Sequence, residues 1–102
     1  MAVFKVFRAA EWVAFEADGV FAGSADDLRD GFIYLSAQGQ LEGTLARHFA
    51  GEDGLVVAEV AVEADPALRW EASRGGADFP HLYRPLTRAD VCGVRTLTRD
   101  LP

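Results

Sequence analysis

The sequence predicts a single α+β domain with a mixed or antiparallel sheet, and three observations support this prediction. The 102 residues are 50% hydrophobic and 25% charged, which is the composition of one ordinary globular domain with one core. Apolar periodicity changes along the chain in the order strand, helix, strand, helix and then mostly strands. The last forty or so residues have no pattern for a crossover helix, which a parallel sheet would need. No repeat or linker divides the chain, so we expect residues 1–102 to form one domain.

The first quarter of the chain predicts a strand and a helix. Alternation over residues 2–7 is typical of a strand covered on both faces, although Lys5, the only lysine of the chain, lies among its apolar residues. Residues 9–18 carry apolar side chains three and four positions apart, which predicts a short amphipathic helix. Gly19 is expected to end that helix.

The next segment predicts a second strand–helix pair. After a link over residues 20–23, Ser24 and Asp27 resemble a capping box for one helical turn over residues 25–29. A strand is predicted over residues 32–35. Ser36 is the expected N-cap of the second main helix, over residues 37–50, and the buried stripe of that helix is expected to comprise Leu41, Leu45 and Phe49.

The second half is predicted to be mostly extended. Residues 55–62 form the clearest strand, with Val56, Ala58, Val60 and Val62 on one face. A further strand over residues 69–72 and a surface loop over 73–78 follow. Residues 79–86 contain two prolines, so we expect an extended segment that is not a central strand. A one-turn helix at residues 87–90, capped by Thr87, and a strand over residues 91–98 complete the predicted elements.

Composition excludes several classes of protein. The net charge of −6 argues against nucleic-acid binding, which needs a basic face. No signal peptide and no apolar run of ~20 residues are present, so we expect a cytoplasmic protein without a membrane span. The single cysteine, Cys92, cannot form an internal disulfide or a cysteine zinc cluster, and we expect it to be an inert core thiol. No metal site is predicted.

A few polar residues are candidates for chemistry. His81 lies between two prolines and is interpreted equally well as an acid–base or hydrogen-bonding group and as a structural histidine. His48 is expected only to interact with the end of its helix. Arg69 and Glu71 share a strand face, so they form either a surface ion pair or a carboxylate site beside a ligand. Tyr34 shares a face with Ser36, and each is either a ligand contact or a structural residue.

Three segments in this order resemble a known family. They are Gly31-Phe32-Ile33-Tyr34-Leu35-Ser36, Arg69-Trp70-Glu71 and Phe79-Pro80-His81-Leu82-Tyr83-Arg84-Pro85-Leu86. Together they resemble domain-of-unknown-function family 952 of small bacterial proteins, over nearly the whole chain. The family's fold is thought to be similar to that of ADP-ribosyltransferases, which bind NAD in a cleft between two small sheets.

This resemblance implies a set of site residues. Lys5, Tyr34 and Glu71 would take the three polar positions of the transferase cleft, with Glu71 as the catalytic residue. We also expect Ser36 to bind the ligand, and His81 and Tyr83 would line the same cleft. Members of the family usually carry histidine at the positions of Lys5 and Tyr34, so this chain retains ligand binding better than acid–base catalysis.

Three functions remain in competition. The first is a binding domain for a nucleotide, ADP-ribose or NAD with a degenerate transferase-like cleft. The second is an active NAD-dependent transferase-like enzyme, in which Glu71 stabilises an oxocarbenium-like transition state. The third is a protein-interaction domain that pairs through an exposed strand edge or an apolar patch. We expect a monomer or a weak homodimer.

Overall fold

The structure is a computed structural model that describes residues 2–73 and 75–97. Its strands are β1 (Val3–Phe7), β2 (Val20–Phe21), β3 (Ile33–Tyr34), β4 (Ser36–Ala37), β5 (Leu55–Val60), β6 (Leu68–Ala72), β7 (Asp78–Leu82), β8 (Leu86–Thr87) and β9 (Val91–Leu97). Its helices are α1 (Ala9–Asp18), α2 (Ala25–Asp30) and α3 (Leu41–His48), with short 3₁₀ turns at Gln38–Gln40 and Arg88–Asp90.

The strands form three antiparallel sheets. The largest has the order β4-β1-β5-β9, the second has the order β3-β7-β6, and β2 pairs with β8. Every strand pair within residues 2–73 and 75–97 is antiparallel. The predicted α+β class with an antiparallel sheet is therefore confirmed.

One face of the largest sheet packs into the main core. The side chains of β1 and β5 alternate as the sequence predicts, so Val3 and Phe7 point to the same face as Val56, Ala58 and Val60. The two smaller sheets add buried residues to this core, namely Phe21, Ile33, Leu82 and Leu86. The core therefore joins all three sheets.

Helix α3 covers the opposite face of the largest sheet. Leu41, Leu45 and Phe49, the predicted stripe, pack against Val6 and Val57. The predicted spacing of this stripe is therefore confirmed, although the helix itself begins later and ends earlier than expected.

The sequence predicts the end of the first helix and the start of the second. Helix α1 stops at Gly19, which has a left-handed backbone with φ 78° and donates its N–H to the Phe15 carbonyl. Helix α2 has the predicted capping box, in which Ser24 and Asp27 exchange side-chain to backbone hydrogen bonds. These boundaries depend on local chemistry, which explains why they are predictable.

The predicted role of Ser36 as a helix N-cap is wrong. Ser36 pairs with Phe4 in strand β4, and its hydroxyl hydrogen-bonds to the Thr44 hydroxyl at 2.8 Å. The cap-like contact comes instead from Gln40, whose side chain accepts from the Ala37 N–H. The backbone of Ser36 pairs with the free edge of β1 instead of joining a helix. Helix α3 therefore starts five residues after Ser36, at Leu41.

The prediction that the proline-containing segment is not a central strand is also wrong. Strand β7 lies between β3 and β6 and contains Pro80. The Pro80 carbonyl accepts a hydrogen bond from the Leu35 N–H, just beyond the two-residue strand β3. The Pro80 nitrogen faces the same side of β7 and has no N–H to donate. The proline thus costs the sheet one hydrogen bond at a strand end, where the loss is tolerated.

Smaller differences concern the links and the cysteine. The predicted link at residues 20–23 contains strand β2, and the predicted strand 32–35 is reduced to β3. Cys92 is exposed rather than in the core. Partial desolvation of the thiol, followed by the charges of Glu59 and Glu63, raises its pKa. Residue 98, predicted to end the last strand, lies outside the described residues. Among the helices that the structure describes, none is long and apolar enough to cross a membrane.

Candidate functional site

A cleft of about 450 Å³ opens beside the edge of the largest sheet. One side of the cleft is formed by β1, the N-terminal end of α1 and helix α2. The other walls come from the segments 34–36 and 39–49 and from Ser73, Ala77 and Phe79. This volume lies within the range of small-molecule sites in proteins. The cleft is therefore the best-formed candidate site in the part of the chain that the structure describes.

Charged side chains of both signs line the cleft. It is lined by four basic side chains (Lys5, Arg8, Arg29 and Arg47) and three acidic ones (Glu11, Asp26 and Asp27). Arg8 forms a two-point ion pair with Glu52, and Arg29 pairs with Asp26 and Asp30.

Arg47 differs from the other basic residues of the cleft. Within residues 2–73 and 75–97 no hydrogen bond or ion pair reaches its guanidinium, and the side chain is exposed at the end of α3. It therefore has its donors available for an incoming anion.

Lys5 is held by a buried ion pair on the cleft wall. Its ammonium donates to Asp27 Oδ2 at 2.8 Å and to the Tyr34 carbonyl at 3.1 Å. The exposed fractions of Lys5 and Asp27 are 6% and 3%. Asp27 also accepts from the backbone N–H groups of Ser24 and Tyr34. The pair therefore connects β1, the start of α2 and β3, and this structural work uses most of the hydrogen-bonding capacity of Lys5.

Tyr34 lines the cleft from strand β3 of the three-stranded sheet. Its backbone is fixed by Lys5 and Asp27, and its hydroxyl donates to Asp30. Burial, followed by this hydrogen bond, raises the pKa of Tyr34 to about 12. The hydroxyl is thus protonated at neutral pH and is a poor proton donor in catalysis.

The floor of the cleft is formed partly by backbone. Gly39 and Gly43 line it, and a Cβ atom added to either would meet no atom within 4 Å. Arg47 follows Gly43 by four positions, so the two lie on one face of helix α3. The missing side chains leave space through which a ligand can reach Arg47.

A second polar cluster lies on the three-stranded sheet. Glu71 Oε1 accepts a hydrogen bond from the Tyr83 hydroxyl at 2.7 Å and lies 2.8 Å from His81 Nδ1. The hydrogen bond with His81, followed by that with Tyr83, lowers the pKa of Glu71. The Arg69 guanidinium lies over the Tyr83 ring at 5.5 Å. Among the described residues no ion-pair contact joins it to Glu71, and both interpretations of this pair stay predictions.

Aromatic rings enclose the imidazole of this cluster. Phe32 stacks on the His81 ring with centroids 4.1 Å apart, and Tyr34 meets it edge-on at 5.3 Å. His81 is only 4% exposed, and its Nε2 atom is buried without a hydrogen-bond partner in the part of the chain described.

The structure divides the six predicted site residues into two groups. Lys5, Tyr34 and Ser36 line the cleft, whereas Glu71, His81 and Tyr83 do not. The expectation that all six line one cleft is therefore not met. The two groups touch where Tyr34 packs against His81, its partner in the β3–β7 register.

Sequence reasoning missed two residues of the cleft. Asp27 was identified only as a helix cap, although a buried lysine in an apolar strand needs a carboxylate partner. Arg47 gave no signal, because nine arginines are scattered along the chain and only the fold shows that Arg47 lines the cleft without a partner among the described residues.

A comparison with known protein families identifies the family of this chain. The profile of the family described as protein of unknown function (DUF952) matches residues 6–94, so the chain belongs to this family, as the three segments predicted. Among curated proteins, none matches the chain.

The chain is similar to a solved bacterial protein, CC0527 from Caulobacter crescentus. In the crystal structure of CC0527, the sequence is 48% identical to that of this chain. The two folds match with a TM-score of 0.92, and the match covers 98% of this chain and 89% of that one. The crystal structure of a double mutant of CC0527 is 50% identical over the same shares, with a TM-score of 0.89. The solution structure of CC0527 is 50% identical over 97% and 86% of the two chains, with a TM-score of 0.84.

Proposed function

We propose that the cleft binds a small anionic molecule of the nucleotide class, such as AMP, ADP-ribose or NAD. The observation that carries this proposal is the guanidinium of Arg47, which has no partner among the described residues and lines a 450 Å³ cleft. On a protein with a net charge of −6, an unpaired arginine beside a cavity favours a phosphate group, which guanidinium binds at two points.

The remaining walls suit the other parts of such a ligand. Ser36 and Thr44 bring two hydroxyl groups to the cleft, and Tyr34 and Phe79 bring aromatic rings. Hydroxyls complement a ribose and aromatic rings complement a base, so a nucleotide uses the cleft better than inorganic phosphate does.

An ADP-ribosyltransferase-like cleft is part of this proposal. It is supported by Lys5 on β1 and Tyr34 on β3, which face one cleft lined by residues of two different sheets. Glu71, the proposed transferase glutamate, bonds to His81 and Tyr83 instead of lining the cleft. Binding without catalysis is therefore our first choice.

An NAD-consuming transferase is the second candidate, and the ionised Glu71 beside His81 favours it. For this function, release of nicotinamide from NAD should be measured on the wild type and on the Glu71→Gln variant. Release by the wild type that the variant loses would establish an enzyme, whereas no release by folded wild type would leave binding alone.

Thermal-shift measurements and calorimetry with AMP, ADP-ribose, NAD and nicotinamide test the binding proposal. A ligand at about 100 times its Kd stabilises the folded state by ~2.7 kcal/mol, which raises the Tm of a domain this size by ~10 °C. We expect this shift with ADP-ribose or NAD and not with nicotinamide, which has no phosphate.

Two variants and one matched control locate the site. Arg47→Gln removes the guanidinium, and Gly43→Leu fills the cleft from a position where a Cβ meets no atom within 4 Å, so both should weaken binding in a folded protein. Arg95→Gln makes the same charge change on exposed strand β9, outside the cleft, and should bind normally. Absence of any shift with the wild type, or equal binding by all three variants, would refute the proposal.

A further inference from the structure

His81 lies directly behind the wall of the cleft. Two cleft-lining residues flank it on the same sheet face, namely Tyr34 opposite it on β3 and Phe79 two positions earlier on β7. The Tyr34 ring packs edge-on against the imidazole. The Tyr34 side chain therefore contacts both the imidazole and the cleft.

The partners of the imidazole fix the position of its proton. Glu71 is ionised at neutral pH and can only accept hydrogen bonds, so His81 Nδ1 must donate to Glu71 Oε1 across their 2.8 Å contact. In the neutral form of the imidazole, the proton on Nδ1 leaves Nε2 with a lone pair that can accept a hydrogen bond.

The second nitrogen of the ring has no use within the described protein. Nε2 is buried without a hydrogen-bond partner, and a polar atom in that state is rare in native proteins. Nδ1 is directed toward Glu71 on β6, and the imidazole packs against the rings of Phe32, just before β3, and Tyr34, in β3. The Tyr34 ring therefore belongs both to the surroundings of the imidazole and to the lining of the cleft.

We propose that His81 Nε2 is a hydrogen-bond acceptor for a hydroxyl group of the molecule bound in the cleft, and that the Tyr34 ring must turn aside to expose it. Such a contact requires a ligand that carries hydroxyl groups, such as a ribose phosphate. This assignment rests on the proposed function. The backbone of Tyr34 is held by Lys5 and Asp27, whereas its hydroxyl makes a single hydrogen bond within the described part of the chain, to Asp30. The side chain can therefore turn while the strand stays in place.

Chemical modification of the two histidines tests whether Tyr34 controls access. Diethyl pyrocarbonate transfers its ethoxycarbonyl group to an accessible, unprotonated imidazole nitrogen and releases ethanol and carbon dioxide. His48 is exposed and His81 is buried, so peptide mapping by mass spectrometry reports on each separately, with His48 as the internal reference. In the wild type, we expect His81 to react far more slowly than His48.

The Tyr34→Phe variant removes the bond to Asp30 and keeps the ring. We expect His81 to react about fivefold faster relative to His48, the factor for one ordinary hydrogen bond. Tyr83→Phe is the matched control, because it removes a hydroxyl from the same cluster but not from the cleft wall, and the rate should stay near that of the wild type. Tyr34→Ala should accelerate the reaction further; if that variant does not fold, Tyr34→Phe decides the result. Unchanged reaction of His81 in the folded Tyr34 variants would overturn the proposed gate.

Addition of ADP-ribose tests the contact with the ligand. Bound ADP-ribose should slow the modification of His81 in the Tyr34→Phe variant, measured against added N-acetylhistidine because His48 also lines the cleft. Binding by calorimetry without protection of His81 would overturn the hydroxyl contact and leave the proposed function intact. Absence of binding would refute the proposed function and with it the hydroxyl contact, whereas the reagent experiment would still decide the role of Tyr34.

Discussion

Lys5 illustrates how one residue organises several segments of this protein. A lysine within an apolar strand is costly to bury unless a charge partner and further acceptors surround it. Asp27 and the Tyr34 carbonyl supply these groups from positions 22 and 29 residues away. The ion pair therefore links the opening strand to the cleft wall.

Replacement of Lys5 should be strongly destabilising. Lys5→Met leaves the Asp27 carboxylate buried without its cation, and we expect the free energy of unfolding in urea to fall by about 3 kcal/mol. Arg29→Met is the control, because it removes an exposed ion pair from the same helix region and should have a much smaller effect. Similar losses in the two variants would show that the buried pair is not important for stability.

Glu71 should contribute to the acid sensitivity of the fold. Its pKa is lowered below the ordinary value of 4.5 by the hydrogen bonds with His81 and Tyr83. The carboxylate therefore adds stability above about pH 4.5, and this stability is lost as the pH falls through the lowered pKa. We expect Glu71→Gln to lose less stability than the wild type between about pH 5 and pH 3.

Urea unfolding at several pH values measures this difference. Glu42→Gln is a matched control, because Glu42 is exposed on α3 and has no hydrogen bond among the described residues. A parallel pH dependence of the wild type and Glu71→Gln would contradict the assignment of the Glu71 hydrogen bonds.

At the scale of single elements, helix α3 combines structural and functional demands. One face of the helix packs against the largest sheet through Leu41 and Leu45, and another lines the cleft through Gly43 and Arg47. Glycine in a helix interior is unfavourable because it loses the most backbone freedom on folding. The open cleft is therefore obtained at a cost in helix stability.

Gly43→Ala should stabilise the protein. The backbone of Gly43 is helical and an added Cβ meets no atom within 4 Å, so the free energy of unfolding should rise by about 1 kcal/mol. Gly19→Ala provides the opposite control, because Gly19 has φ +78° and alanine is strained there. Urea unfolding measures both, and a destabilised Gly43→Ala variant would disprove our description of this helix surface.

At the scale of the whole molecule, a shared core makes the three sheets depend on one another. Phe7 from the largest sheet, Leu82 from the three-stranded sheet and Phe21 from the two-stranded sheet belong to one buried cluster. Separate unfolding of any sheet would expose part of this cluster to water. We therefore expect one cooperative transition.

The two tryptophans can test this cooperativity. Trp12 lies beside Phe7 next to the largest sheet, whereas Trp70 lies on β6 of the three-stranded sheet. Trp12→Phe and Trp70→Phe each leave one tryptophan. In each variant, its fluorescence and the far-ultraviolet circular dichroism should change at the same urea concentration. Separate midpoints within one variant would show that the sheets unfold independently.

Local patterns account for the elements that were predicted well. The alternation of β1 and β5, the spacing of the α3 stripe and the glycine at the end of α1 are all readable within a few residues. The family was also identified from three short segments, because the residues that resemble the family follow one another directly within each segment. The role of Ser36 was missed because an unpaired strand edge competed with the helix for its backbone.

By itself, the sequence thus determined the α+β class, the core-facing residues of the main strands, both ends of the first helix and the family. Only the tertiary structure decided that Lys5 pairs with Asp27, that Arg47 lines a cleft without a partner among the described residues and that β7 is central. It also separated the cleft residues from the cluster around His81. The physical reason is that local propensity and periodicity act between neighbours in the chain, whereas a charge partner or a cavity depends on residues that only folding brings together.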